Sequence, residues 1–96
     1  MGKLMAQEGQ GESLVTILLE AAESLENYEP CLAYLVHVSP DEADAVYVYE
    51  RWTSEEAHQQ SLTLESTQRL IQQARPILTG MERLRTLEFL GGKGAR

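Results

Sequence analysis

Glu50, Trp52 and His58 bring a carboxylate, the only tryptophan and an imidazole into one short stretch, Glu50-Arg51-Trp52-Thr53-Ser54-Glu55-Glu56-Ala57-His58. An imidazole ordinarily titrates near pH 6.5, roughly, so it is mostly neutral at pH 7 and able to take a proton from a bound ligand. An indole beside it supplies a flat wall that stacks a ring and excludes water. Glu50 could hold the His58 tautomer or accept from a ligand hydroxyl. Each residue also has a plain structural use. His58 could make a helix hydrogen bond, Trp52 could fill the core, and Glu50 could pair with Arg51, Arg83 or Arg85, which is the role the residue types favour for it. Tyr34, Tyr47 and Tyr49 could offer hydroxyls, but tyrosine is common in strands simply as packing.

These side chains need a strand and a helix meeting at a sharp junction. Thr53 followed by Glu56 has capping-box spacing, which predicts a helix from Ser54 to about Leu62 with Thr53 as its cap and His58 in the second turn. Upstream, Gly2 to Glu8 is a weakly alternating strand, and Gly9 and Gly11 mark a turn. Leu14, Leu18, Ala21 and Leu25 recur at helical spacing after Glu12, and the helix should end near Glu26 or Asn27 ahead of Pro30. Cys31 to Val38 and Ala45 to Tyr49 read as strands, joined by the polar turn Ser39 to Asp44. Beyond a bend at Thr63 to Ser66 a second helical segment runs to about Ala74. Pro76 breaks it, Ile77 and Leu78 allow one more turn, and Gly80 closes it. Leu84 to Leu90 alternates as a last strand, and Gly91 to Arg96 reads as a frayed tail.

The expected fold class is α+β: a ferredoxin-like βαββαβ domain over residues 1–96 with one antiparallel sheet. Helices would cover one face of that sheet. Two central strands are apolar on both parities, so the other face should be covered as well, by the same sheet of a second copy. The chain has 96 residues, 43% of them hydrophobic, and buries too small a core to make burial by a partner superfluous. A homodimer is therefore expected.

Eight basic residues against fifteen acidic ones leave a net charge of −7, which works against binding a phosphate backbone. No nucleic-acid partner is expected. No membrane partner is expected either, since no apolar run approaches the roughly 20 residues of a membrane span, and Met1 to Gln10 lacks a signal-peptide core. The reading is a cytoplasmic protein. Cys31 lies in an apolar strand pattern, where a thiol is usually an inert small hydrophobe. The two histidines and one cysteine have no ligand spacing, so no metal site is expected. Gly9-Gln10-Gly11 is too little for a nucleotide loop, and no serine stands in a nucleophile elbow.

Across nearly the whole chain the pattern resembles the antibiotic biosynthesis monooxygenase (ABM) domain family, which includes small quinol monooxygenases. Its carriers are Pro30-Cys31-Leu32-Ala33-Tyr34, Tyr49-Glu50-Arg51-Trp52, Ser54-Glu55-Glu56-Ala57-His58 and Ala74-Arg75-Pro76-Ile77-Leu78. The resemblance implies dimers that close into an α/β barrel, and oxygenation of a quinol or other hydroxylated aromatic by O2 with no cofactor. It makes His58 the catalytic base and places Trp52, Glu50, Tyr34 and Ser61 around a small aromatic substrate. Ser61 is a departure, because many relatives carry a second histidine there. That departure sustains an alternative, a non-catalytic dimeric module that binds a small ligand or serves a stress response. Haem degradation fares worse, since Leu62 stands where haem-degrading relatives place a ligand histidine.

Overall fold

The protein is described by a computed structural model covering residues 1–85 and 90–93. Its elements run β1 (Gly2–Ala6), α1 (Gly11–Ser24), β2 (Cys31–Ser39), β3 (Glu42–Trp52), α2 (Glu55–Ser61), α3 (Glu65–Ala74), a 3-10 turn (Arg75–Ile77) and β4 (Leu78–Arg83). All strand pairs are antiparallel and form one four-stranded sheet in the order β2-β3-β1-β4. This is the expected α+β, ferredoxin-like arrangement. Of the two strands read as central, β3 is central, whereas β2 is an edge strand of the sheet.

Side chains alternate across a sheet, so each strand presents one row to the helices and one away from them. Leu4, Tyr34, Val36, Val46 and Val48 form the helix-side rows and pack with Leu14, Leu18 and Ala74 into the core. Leu14 is completely shielded from solvent. On the opposite side the register aligns Lys3 with Tyr47, Met5 with Ala45, Leu35 with Tyr49 and His37 with Tyr47. No element among the described residues covers Met5 and Leu35, which are 42% and 51% exposed.

Three expectations need correction. First, the β2–β3 turn is not the six residues Ser39 to Asp44, because β3 already starts at Glu42. Those acidic residues look like a solvated turn, but their partners lie far along the chain. Glu42 takes hydrogen bonds from Lys3 Nζ at 2.5 Å and from the Tyr47 hydroxyl. Asp44 accepts from the Gly9 and Gly11 amides at 3.0 and 2.8 Å. Second, α2 is capped by Ser54, not Thr53. Ser54 is extended and its Oγ accepts from the Ala57 amide at 3.0 Å, while the Thr53 amide is occupied by the Pro30 carbonyl at 2.9 Å. The carboxylate of a reciprocal box is missing, since Ala57 stands at the third helical position.

Third, the last described strand is Leu78–Arg83, so Gly80 pairs with Met5 inside β4 rather than closing a helical turn. Leu84, Arg85 and Leu90 are not in a strand, and Thr86 to Phe89, like residues 94–96 of the expected tail, lie outside the described residues. Edge strand β4 buries little, with Met81 72% exposed, so it lacks the apolar alternation that marks a half-buried strand. Pairing with β1, not burial, makes it a strand. Smaller shifts occur at the ends of β1 and α1, which stop at Ala6 and Ser24.

The Gly9–Gly11 turn shows how the sheet holds α1. Asp44 has a φ of 63°, which turns its carboxylate towards the two glycine amides that open the helix. A Cβ on Gly11 would lie 2.8 Å from the Asp44 Cα, so no side chain fits there. Gly11→Ala should therefore destabilise the fold by about 1–3 kcal/mol through overpacking against backbone. Asp44→Ala should cost about 1.5–3 kcal/mol through lost bonds to a carboxylate. Urea midpoints check both, and values equal to wild type would dismiss this clasp as decoration.

Candidate functional site

Glu50 and Trp52 end β3 on the helix-side row, two residues apart and hence on the same face of the strand. α2 begins three residues after Trp52, and its first turn carries His58 back over the strand end, where the His58 amide donates to the Ser54 carbonyl at 3.2 Å. The short Ser54 cap thus brings the three residues together. The His58 and Trp52 rings lie 5.1 Å apart between centroids with planes tilted by 31°. The Trp52 Nε1–H donates to Glu50 Oε1 at 3.2 Å, and the same oxygen lies 3.6 Å from His58 Nε2. That separation is ion-pair range and long for a hydrogen bond.

Glu50 therefore serves both neighbours. It fixes the indole in its plane, and a proton taken up by His58 would find a carboxylate beside it. Tyr28, in the loop before β2, closes the far side of the indole edge-on at 6.4 Å between ring centroids. The sequence reading passed over Tyr28, which carries no motif and reaches the site only because the loop returns to β3.

An open cleft of about 390 Å³ lies against this group. Glu50, Trp52, His58, Ser54 and Glu55 line it from β3 and α2, Leu32 from β2, and Met1, Arg83 and Arg85 from the other side, with Arg51 also contributing. Its size suits a small aromatic molecule. Arg83 and Arg85 were read from sequence only as possible partners of Glu50. Among the described residues neither lies within ion-pair distance of that carboxylate.

Tyr34 and Ser61 stand elsewhere. Tyr34 pairs with Glu50 in the sheet register but faces a smaller cavity of about 190 Å³ with Ala22, Leu25, Glu26 and Cys31. Ser61 is buried, and its hydroxyl donates to the His58 carbonyl at 2.6 Å. It steadies the helix turn that carries the imidazole and offers none of its own. Tyr47 and Tyr49 sit on the uncovered face of the sheet, and His37 is exposed there. Burial, with help from Glu50, pushes the Cys31 thiol up, so it stays protonated rather than becoming a nucleophile. Among the described residues no group of three or more His, Cys, Asp or Glu could gather round a metal ion. No helix among them is long and apolar enough to cross a membrane.

Burial also pushes the Tyr34 phenol well above the ordinary tyrosine value, with the Glu50 and Cys31 charges adding to the shift. Such a phenol holds its proton more tightly folded than unfolded. Its contribution to stability is complete below the unfolded value of about 10 and is lost as pH rises towards the folded one. Between pH 8 and pH 11, roughly, urea midpoints should fall less for Tyr34→Phe than for wild type. Equal losses would show that this phenol is not what the alkaline transition titrates.

Comparison with known proteins places this geometry. The family model for antibiotic biosynthesis monooxygenase matches residues 1–73. No curated protein sequence matches significantly. A crystal structure from Chloroflexus aurantiacus J-10-fl, provisionally named an antibiotic biosynthesis monooxygenase, is 36% identical with a TM-score of 0.86, over 99% of this chain and 94% of that one. Structures from Caulobacter crescentus CB15 and Deinococcus radiodurans, named in the same provisional way, are each 21% identical. The first has a TM-score of 0.77 over 91% of this chain and 86% of that one, the second 0.74 over 94% and 95%. These two speak for the fold alone. The match over residues 1–73, together with the similarity to the Chloroflexus protein, means that this chain belongs to the antibiotic biosynthesis monooxygenase family.

Proposed function

We propose that this protein is a cofactor-independent oxygenase of quinols or related hydroxylated aromatics and that it works as a homodimer. Family membership supports a monooxygenase role. The observation that carries the finer reading is the His58–Glu50–Trp52 group on the wall of a cleft of ring size. In this reading the substrate ring stacks in the cleft beside Trp52, and His58 takes the proton of a ring hydroxyl. Glu50 stabilises the resulting imidazolium and keeps the indole in place. The electron-rich anion passes one electron to O2, giving an aryloxyl radical and superoxide. Their combination at a ring carbon gives a hydroperoxide, which loses water and leaves one oxygen atom as a new carbonyl. Separation and transfer of a second electron and proton give a quinone and hydrogen peroxide instead. The protein contributes a base, an apolar wall and partial exclusion of water.

The dimer is supported by the sheet face that no helix among the described residues covers. Met5, Leu35, Tyr47 and Tyr49 lie on it, and a second copy presenting the same rows would remove them from water.

Oxygen uptake with menadiol-like and hydroxyanthracene-like compounds tests the chemistry. Turnover should stop without O2 and persist in EDTA. A compound that quenches Trp52 fluorescence with no oxygen consumed by any member of the series would replace the enzyme with a ligand-binding module. Ser61, whose hydroxyl serves the His58 carbonyl and supplies no second base, is the observation that favours that alternative.

A further inference from the structure

We propose that the ligand of the Trp52 cleft carries an anionic group, a carboxylate on or near its aromatic ring, and that Arg83 and Arg85 hold it. This rests on the cleft being the ligand site. The chain has fifteen acidic residues against eight basic ones, so an average patch of its surface is negative. The cleft reverses that balance: among the described residues Arg51, Arg83 and Arg85 line it against Glu50 and Glu55. Elsewhere Lys3 sits on Glu42 and Arg69 on Glu65, while Arg75 and Lys93 have no ion pair among the described residues but stand outside the cleft. Among the described residues, Arg83 and Arg85 have no carboxylate within ion-pair distance. Two guanidinium groups left without acids on the wall of a cleft in an acidic protein are an anion site.

The register explains how they face the ring site. Arg83 aligns with Gly2, and Gly2 with Val48, a helix-side core residue two positions before Glu50. Arg83 therefore lies on the same side of the sheet as Glu50 and Trp52. Gly2, which stands between Arg83 and Val48, has no side chain. A Cβ built on Gly2 would meet, among the described residues, only the Glu82 carbonyl oxygen, at 3.7 Å, so no described side chain crowds that position. Beyond Arg83 the chain is held to β1, the Leu84 amide donating to the Met1 carbonyl at 3.0 Å, which keeps Arg85 at the cleft. A flat ligand beside Trp52 with a hydroxyl at His58 would extend its far edge towards the two arginines. Their planar forks match a carboxylate.

Anaerobic calorimetry compares 5-hydroxy-1-naphthoate, whose hydroxyl and carboxylate lie on opposite rings, with uncharged 1-naphthol. The acid should bind at least about tenfold more tightly at low salt, and the advantage should shrink as salt screens it. Arg83→Gln/Arg85→Gln should erase the advantage and leave 1-naphthol binding unchanged. Arg83→Lys/Arg85→Lys should retain part of it. Equal affinity for the two compounds, no binding of either, or a preference indifferent to salt would overturn the proposal, even if the glutamine variant failed to fold. So would a preference that survives the glutamine substitutions. The oxygenase reading fails separately: an arginine-dependent acid preference with no O2 uptake from any quinol would remove the chemistry and keep the anion site. Uptake with neutral quinols and no acid preference would do the reverse.

Discussion

His58→Ala is expected to lower turnover by about 100-fold or more while leaving the fold and ligand binding largely intact. A factor of that size corresponds to roughly 2.7 kcal/mol of transition-state stabilisation, which is what loss of a positioned general base removes. The expectation rests on geometry. The imidazole stands beside Trp52 on the cleft wall as a proton acceptor, while Glu50 already accepts from the indole. The helix-start bond that His58 makes comes from its backbone, donating to Ser54, so alanine preserves it. Trp52 fluorescence should still report ligand binding in the variant. Added imidazole should restore part of the rate, an effect that a merely structural histidine would not give. Unchanged turnover in His58→Ala would remove the proposed base, and the chemistry would need another proton acceptor.

The second large effect is on assembly. Leu35 is half exposed in the single chain, on the sheet face opposite the helices. In a face-to-face dimer it would be buried, and Leu35→Asp would place an unpaired carboxylate in that interface at a cost of several kcal/mol. Light scattering should therefore give twice the chain mass for wild type at micromolar concentration and the single-chain mass for the variant. Little strain within the subunit accompanies the change, because no element among the described residues packs on that face. A wild-type protein that runs as a stable single subunit would overturn the dimer, and a variant that remains dimeric would move the interface elsewhere.

How far the sequence is legible depends on where each residue finds its partner. α1 was readable because its stripe of Leu14 and Leu18 repeats within a few residues and faces a core. The Glu50, Trp52 and His58 cluster was readable because all three lie within a strand end and one helix turn. The cap was misplaced by one residue because Thr53 and Ser54 are chemically equivalent caps. The Thr53 amide bonds to Pro30, just before β2, and only the folded chain brings that carbonyl near. The start of β3 was missed because Glu42 and Asp44 are satisfied by Lys3 and by the Gly9 and Gly11 amides, more than thirty residues away. β4 was missed because an edge strand with Met81 in solvent leaves no alternating pattern.

By itself the sequence determined the class of fold, the apolar stripe of α1 and the proximity of an acid, an indole and an imidazole, because periodicity and short spacing are local properties of the chain. Only the tertiary structure decided that Tyr28 edges the indole, that Tyr34 and Ser61 face away from the cleft, and that Arg83 and Arg85 line the same cleft as Glu50. Those relations are set by strand register and by where β4 pairs. Register is a sum of many weak contacts between segments distant in sequence, so no single stretch of residues carries it.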